Sequence, residues 1–303
     1  MKKVEIKCNL DLTEKQSAQI DLHSFHNLMT ILFGELQFLG AIMGEKALFK
    51  ESLDVCDELL KSIDNRSRAE TILGNWPANG AGILKNIQDV ISTRPTSSEH
   101  AGLLAQSRAN VERILEVVDE RVKEYLDRMQ TKDGWRLVSL KIIELGLKRV
   151  LEAMAQNSRG RYNVVFDRDL QGRNDYLVDL TAVGRPDGRI LVPLVMIDVL
   201  RDLTANARKY TAPGGVIRVS LIEGEGELKL TVSDNGRGIP EDDLDNVVRF
   251  GFRGSNVAES EARGGGYGLT KAYWVCRNHQ GRMWIESEPN KGTTIDIILP
   301  RPK

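Results

Sequence analysis

The sequence predicts an α+β protein, an N-terminal helical dimerisation bundle followed by a two-layer α/β sandwich. Three observations carry that expectation. From about Thr13 to Met129 apolar residues recur at intervals of three and four, with few β-branched alternations. Beyond Gly134 the texture changes to short alternating runs bounded by turn residues, with amphipathic stretches between them. The chain has 303 residues, about twice the length of a typical domain. The expected division is therefore a helical domain over 1–130 and a sandwich over 134–303.

The opening segment MKKVEIKCNLDLTEK is basic but turns polar before an apolar core of a signal peptide can form. In the first long helix Phe25, Leu28, Leu32, Leu36, Leu39 and Ile42 fall on one stripe, and His23 and His26 project beside it. A second helix is expected over 46–73 with Phe49, Leu53, Cys56, Leu60 and Ile63 inward. GNWPANG at 74–80 supplies turn chemistry to stop it, and a short helix follows over 83–91. After STRPTSS at 92–98, Leu104, Val111, Val118 and Tyr125 are spaced by seven, as are Leu115, Val122 and Met129. Such a seam must be buried, and a bundle within a homodimer does so. In the second half strands are expected over 161–167, 175–184, 214–224, 227–234, 282–288 and 293–300, with helices over 137–156, 194–210 and 266–279.

Composition narrows the function. Apolar residues make up 41% and charged residues 28%, and the formal net charge is −1, so no general electrostatic pull toward nucleic acid or anionic membrane exists. The three cysteines Cys8, Cys56 and Cys276 are far apart and lack metal-site or disulfide spacing. The longest apolar run, ILVPLVMI at 190–197, falls far short of the roughly 18 residues of a membrane span. A cytoplasmic location without a membrane span is expected.

Four segments of the second half carry chemistry. LRDLTANARKYT at 200–211 places Asp202 and Asn206 on one helix face with Lys209 nearby; an amide oxygen can ligate Mg²⁺, a carboxylate can orient water, and a lysine can meet a phosphate. DNGRGIP at 234–240 follows a strand, so Asp234 can accept a hydrogen bond from an exocyclic amine while Gly236 and Gly238 admit a planar ring. RGGGYGLTKAY at 263–273 sets Gly264, Gly266 and Gly268 before a helix, where free amides suit phosphate. NKGTTIDIILP at 290–300 begins the last strand with Gly292 and Thr293. Taken singly, the first segment reads equally well as a solvated helix face and the second as a turn.

Together, in this order and spacing, these segments and RFGFRGS at 249–255 resemble the ATP-binding catalytic domain of sensor histidine kinases, within the GHKL ATPase superfamily shared by gyrase, MutL and the large heat-shock chaperones. The resemblance implies ATP and Mg²⁺, with Asn206 holding the metal, Lys209 and Tyr210 lining the phosphate and sugar side, and Asp234 binding the adenine amine. It also implies a nucleotide floor of Gly236, Gly238 and Thr293. A lid would run from Arg253 to Gly266, with Gly264, Gly266 and Gly268 at the phosphates and Arg253 near the γ-phosphate.

HSFHNLMTILFGELQFL, starting at His23, resembles the phosphoacceptor helix of the same kinases. The resemblance makes His23 the phosphorylated residue and Asn27, one turn later, the group that orients water for dephosphorylation. It further implies phosphotransfer to a response-regulator receiver domain, with a separate sensor protein or the extra helices over 46–95 supplying the signal. Ser24 stands where that family usually has an acid, and Asp202 where kinases usually have asparagine and ATP-hydrolysing relatives an acid. Two other readings therefore stay open: an ATP hydrolase acting as a conformational switch, with Asp202 working on water, and a nucleotide-regulated phosphotransfer or phosphatase module using Asn27.

Overall fold

The computed structural model describes residues 1–94, 100–130, 134–158, 160–257 and 266–302. The chain divides into two compact units, Leu12–Gln130 and a second made of Met1–Asp11 with Thr131–Lys303. The first eleven residues thus leave the helical domain to which the sequence assigned them. They carry β1 (Lys2–Glu5), a strand the sequence reading did not anticipate.

The helical unit contains α1 (Glu14–Asp21), α2 (His23–Ile42), a 3-10 turn (Lys46–Phe49), α3 (Lys50–Ser62), α4 (Arg66–Gly74), α5 (Trp76–Thr93) and α6 (Ala101–Met129). Thr13 begins α1 through a capping box: its hydroxyl accepts from the Gln16 N–H, and the Gln16 side chain accepts from the Thr13 N–H. The expected 46–73 helix is divided by Asn65, which caps α4 by accepting from the Arg68 N–H. GNWPANG does not stop the helical region. Pro77 lies in the first turn of α5, where the missing N–H has no helical acceptor to lose, and the expected 83–91 helix is the second half of that longer one. Residues 95–99 of the STRPTSS break lie outside the described residues.

Phe25, Met29, Leu32, Leu36 and Leu39 of α2 share one core with Leu104, Val111, Leu115, Val118, Val122 and Tyr125 of α6, so the heptad seam is buried up to Tyr125. Met129, its expected last member, is exposed. Polar pins hold the bundle in register. The Trp76 indole N–H donates to Asp119 Oδ1 at 2.7 Å. The buried Asp21 carboxylate meets Arg128 at 2.6 Å and Arg66 at 3.2 Å, tying the end of α1 to α6 and α4.

The other unit continues with β2 (Trp135–Ser139), α7 (Leu140–Asn157), β3 (Val164–Val165), β4 (Tyr176–Val183), β5 (Arg189–Pro193), α8 (Leu194–Tyr210), β6 (Val216–Glu223), β7 (Glu227–Asp234), α9 (Gly268–Asn278), β8 (Arg282–Glu288) and β9 (Gly292–Pro300). Seven strands form one sheet in the order β1-β8-β9-β7-β6-β4-β3. β4 runs parallel to β3 and β6, and the other pairings are antiparallel. Alternation explains the layering: Leu228, Leu230 and Val232 of β7 and Ile295, Ile297 and Leu299 of β9 turn to one face and share a core with Leu147, Leu200, Leu203 and Val275 from the three helices.

Two departures from the expected strands have physical reasons. β1 reads KKVE and docks on the sheet edge through charge and backbone pairing, while Val4, with Ile6 just beyond the strand, packs on the core. Arg282 donates to both carboxylate oxygens of Glu5 at 2.7 and 2.9 Å, which holds that carboxyl down at about 2, and Lys3 meets Asp296 at 2.7 Å. β2 and β5 pair only with each other, Trp135 opposite Pro193, and occupy residues read as the start of a helix and as an undivided apolar run.

Candidate nucleotide site

β7 ends at Asp234, and antiparallel pairing with β9 sets it opposite Thr293. The chain then turns so that the Gly236 N–H donates to Asp234 Oδ1 at 2.8 Å. Burial raises the Asp234 carboxyl from its ordinary 3.8 to about 6, against the opposing pull of the Gly236 and Thr293 N–H groups. The buried Thr211 hydroxyl lies beside this carboxylate and adds to the same downward pull. A partly desolvated acceptor next to a buried hydroxyl suits a ligand that brings its own donor and acceptor, as an aminopurine edge does.

Glycines make the approach to that floor. A Cβ on Gly236 would lie 2.4 Å from the Tyr210 carbonyl oxygen, and one on Gly238, whose φ is +67°, would lie 2.0 Å from the Glu288 carbonyl oxygen. The Arg237 N–H donates to the Tyr210 oxygen at 3.0 Å, fastening the loop to the end of α8. There Lys209 Nζ stands 5.2 Å from the centre of the Tyr210 ring. Two of the expected phosphate-side residues therefore adjoin the floor.

Asn206 lies one turn earlier on α8, against the start of α9. A Cβ on Gly268 would sit 2.7 Å from the Asn206 amide nitrogen, so any larger residue there would displace that amide. Among the described residues α9 has no side-chain cap, and its first N–H groups have no acceptor within the helix. Gly266, at φ +72°, packs toward the Phe252 carbonyl, and the Thr270 hydroxyl donates to the Arg249 carbonyl at 3.1 Å, joining this helix start to the RFGFRG segment. Arg253 is exposed on that segment. Gly264 and most of the expected lid lie outside the described residues.

Asp202 does not stand alone on its helix face. Lys271 of α9, only 1% exposed, places its ammonium 3.6 Å from Asp202 and 3.5 Å from Asp198. Nothing in the sequence marked Lys271 or Thr211. Lysine in a helix reads as a surface residue, and only the packing of α9 on α8 buries it.

In the helical unit, α1 and α2 are separated by a single residue, Leu22, at φ −94° and ψ 2°, so His23 opens a new helix. The Asn27 amide nitrogen lies 3.2 Å from His23 Nε2. In the tautomer that carries its proton on Nδ1, Nε2 accepts from that amide. His26 stacks beside His23, with ring centroids 6.5 Å apart and planes inclined by 13°. His23 is half-buried, whereas His26 and Asn27 are exposed.

Residues 192–303 match the family described as histidine kinase-, DNA gyrase B-, and HSP90-like ATPase. The adaptive-response sensory kinase SasA of Synechococcus sp. strain JA-2-3B'a(2-13) is 36% identical over 132 residues, 43% of this chain and 33% of that protein. The sensor-like histidine kinase SenX3 of Mycobacterium bovis is 28% identical over 151 residues, 50% of this chain and 35% of that protein. The histidine protein kinase DivJ of Caulobacter vibrioides is 36% identical over 102 residues, 34% of this chain and 17% of that protein. The chain thus matches about a third or less of the length of these relatives. Its C-terminal part is an ATP-binding catalytic domain of the histidine kinase type, homologous to those of sensor histidine kinases. Among the described residues no helix is long and apolar enough to cross a membrane.

Proposed function

We propose that the chain is a two-component histidine kinase in which ATP phosphorylates His23 and the phosphoryl group passes to an aspartate of a response-regulator receiver domain. The observation that carries this reading is His23 Nε2 standing 3.2 Å from the Asn27 amide nitrogen in a chain that also contains a kinase-type ATP-binding domain. A neutral imidazole nitrogen is a competent nucleophile near neutral pH. Nε2 attacks the γ-phosphorus, the bond to the β–γ bridging oxygen breaks, ADP leaves, and the Nδ1 proton is released to solvent. A receiver carboxylate then attacks the same phosphorus, the nitrogen–phosphorus bond breaks, and the imidazole leaves with a proton taken up from solvent.

On the nucleotide side, Asp234 accepts the adenine amine, with Thr211, Gly236, Gly238 and Thr293 as floor and wall. Lys209, Tyr210 and Arg253 face the phosphates and sugar, with Gly264, Gly266 and Gly268 giving backbone N–H groups. Asn206 suits one position on Mg²⁺; nucleotide oxygens and water would complete the sphere, since no group of three or more His, Cys, Asp or Glu residues able to hold a metal occurs among the described residues. The metal would neutralise charge on the phosphates. A homodimer fits the exposed apolar side chains of α2: Ile31 and Phe38, seven residues apart, are 50% and 48% exposed.

Incubation with γ-labelled ATP tests the reading. Acid-labile, base-stable label that maps to His23 is the expected result. Free phosphate with no labelled protein would replace this proposal with the hydrolase reading.

A further inference from the structure

Lys271 lies in the second turn of α9, in a position where the neighbouring buried residues Ala272, Tyr273, Val275 and Cys276 serve the hydrophobic core. Its ammonium lies between Asp198 and Asp202, yet no acceptor meets it in hydrogen-bonding geometry. Burying an ammonium costs several kcal/mol even after relaxation, and an apolar side chain of similar volume is often at least as stable there. Simple packing therefore gives no reason for a lysine. The charges around it do. Arg201 already faces Asp198 at 3.4 Å, so the charge Lys271 adds falls chiefly on Asp202.

Asp202 occupies a sensitive place. It lies one turn before Asn206, on the same face of α8, and Asn206 abuts Gly268 at the start of α9, where free N–H groups would receive phosphate. Its side chain is 26% exposed, open enough to reach water. A partly desolvated carboxylate without a counter-charge holds a proton more tightly and becomes a stronger base near neutral pH. An ammonium at 3.6 Å competes with water for the oxygens of that carboxylate.

We propose that Lys271 is a positioning residue that disables Asp202 as a water-activating base, so that the γ-phosphoryl group of bound ATP is kept for the histidine rather than lost to hydrolysis. The inference rests on the kinase reading of the site. The suppressed step is explicit: a water proton passes to Asp202, the water oxygen bonds to the γ-phosphorus, the bond to the β–γ bridging oxygen breaks, and ADP and inorganic phosphate leave. With Lys271 in place the Asp202 carboxylate faces an ammonium rather than a water that it could orient. An acid can then occupy position 202 in an enzyme that transfers its phosphoryl group to protein.

The test measures ATP binding, phosphate release and His23 labelling on the full chain. Lys271→Met should bind ATP as the wild type does, release free phosphate faster by on the order of 10², and give a lower ratio of labelled His23 to phosphate released. Asp202→Asn in the Lys271→Met background should bring hydrolysis back down. A purely structural role for Lys271 would not produce that rescue. Unchanged hydrolysis in an ATP-binding Lys271→Met protein overturns the inference, as does a rise that persists in the double variant. Should Lys271→Met fail to fold, Lys271→Gln, which keeps a polar donor without charge, is held to the same two outcomes. A wild type that binds ATP and labels His23 leaves the kinase reading standing whatever Lys271 does, whereas a wild type that binds no ATP removes both.

Discussion

The two units build their reactive sites by opposite means. In the helical unit His23, His26 and Asn27 fall within little more than one turn of α2, and the helix alone brings them together. In the sheet unit Asp234, Thr211, Asn206, Gly268 and Thr293 come from separate elements and meet only because β7 pairs with β9 and α8 packs on α9. A local site should fail by loss of one group. A gathered site should also fail through residues that never touch the ligand.

The largest effect tests the local site. His23→Gln should reduce phosphohistidine to background, since the replacement has no nucleophilic imidazole nitrogen. His26→Asn should retain it, because the Asn27 hydrogen bond to His23 does not pass through His26. Label on His26 with His23→Gln still fully labelled, found by mass spectrometry under conditions that preserve phosphohistidine, would reverse the assignment.

The gathered site should break at Gly238. An added Cβ would collide with the Glu288 carbonyl at 2.0 Å in a backbone conformation that favours glycine, so Gly238→Ala should cost the sheet unit about 3 kcal/mol and lower ATP affinity with it. Gly226 has nothing within 4 Å of its Cβ position, and Gly226→Ala should change stability by less than about 0.5 kcal/mol. Urea midpoints of the two variants give the comparison, and equal midpoints would contradict the gathered geometry.

Asp234→Asn separates binding from folding. Loss of the charged acceptor should weaken ATP binding by about 1.5–3 kcal/mol, measurable by calorimetry. Stability should move the other way. Because the folded-state value, about 6, lies above the ordinary 3.8, the folded protein binds this proton more tightly than the unfolded chain does. This contribution is favourable at low pH and is lost as pH rises through 6. In the absence of nucleotide, Asp234→Asn should therefore melt higher than the wild type at pH 7, with the difference shrinking below pH 5. Wild-type ATP affinity should fall as pH drops through 6, when the carboxylate protonates and stops accepting. A variant that binds ATP normally would remove Asp234 from the adenine pocket.

The same contrast explains what could be read in advance. β6, β7, β8 and β9 and helices α8 and α9 were legible because side-chain alternation follows directly from one buried face. β1 was not, since only Val4 of its four residues packs on the core and Glu5, Lys3 and their ionic partners share in holding it at the edge. The 74–80 turn was misread because Pro77 is harmless in a first turn, a fact that depends on where the helix starts. In the site, Asp234, Asn206 and Gly268 stood out through residue type and spacing. Lys271 and Thr211 did not, because their meaning is burial, which the fold alone assigns.

The smallest expected effect returns to the helical unit and sharpens the contrast. Thr13 and Gln16 satisfy each other's N–H groups at the start of α1, the short helix that ends at Leu22 just before His23. Thr13→Ala removes the hydroxyl acceptor and should cost about 1 kcal/mol, the usual scale for losing a polar N-cap. Because α1 is only 8 residues long, much of its stability rests on that cap and on the Asp21 pairs with Arg128 and Arg66 at its far end. Hydrogen exchange should therefore quicken first in α1, while ATP affinity, set by residues of the other unit, stays at the wild-type value. Changed ATP affinity in Thr13→Ala would mean that the site gathered by the sheet unit depends on the order of α1 and would overturn the separation of local from gathered function.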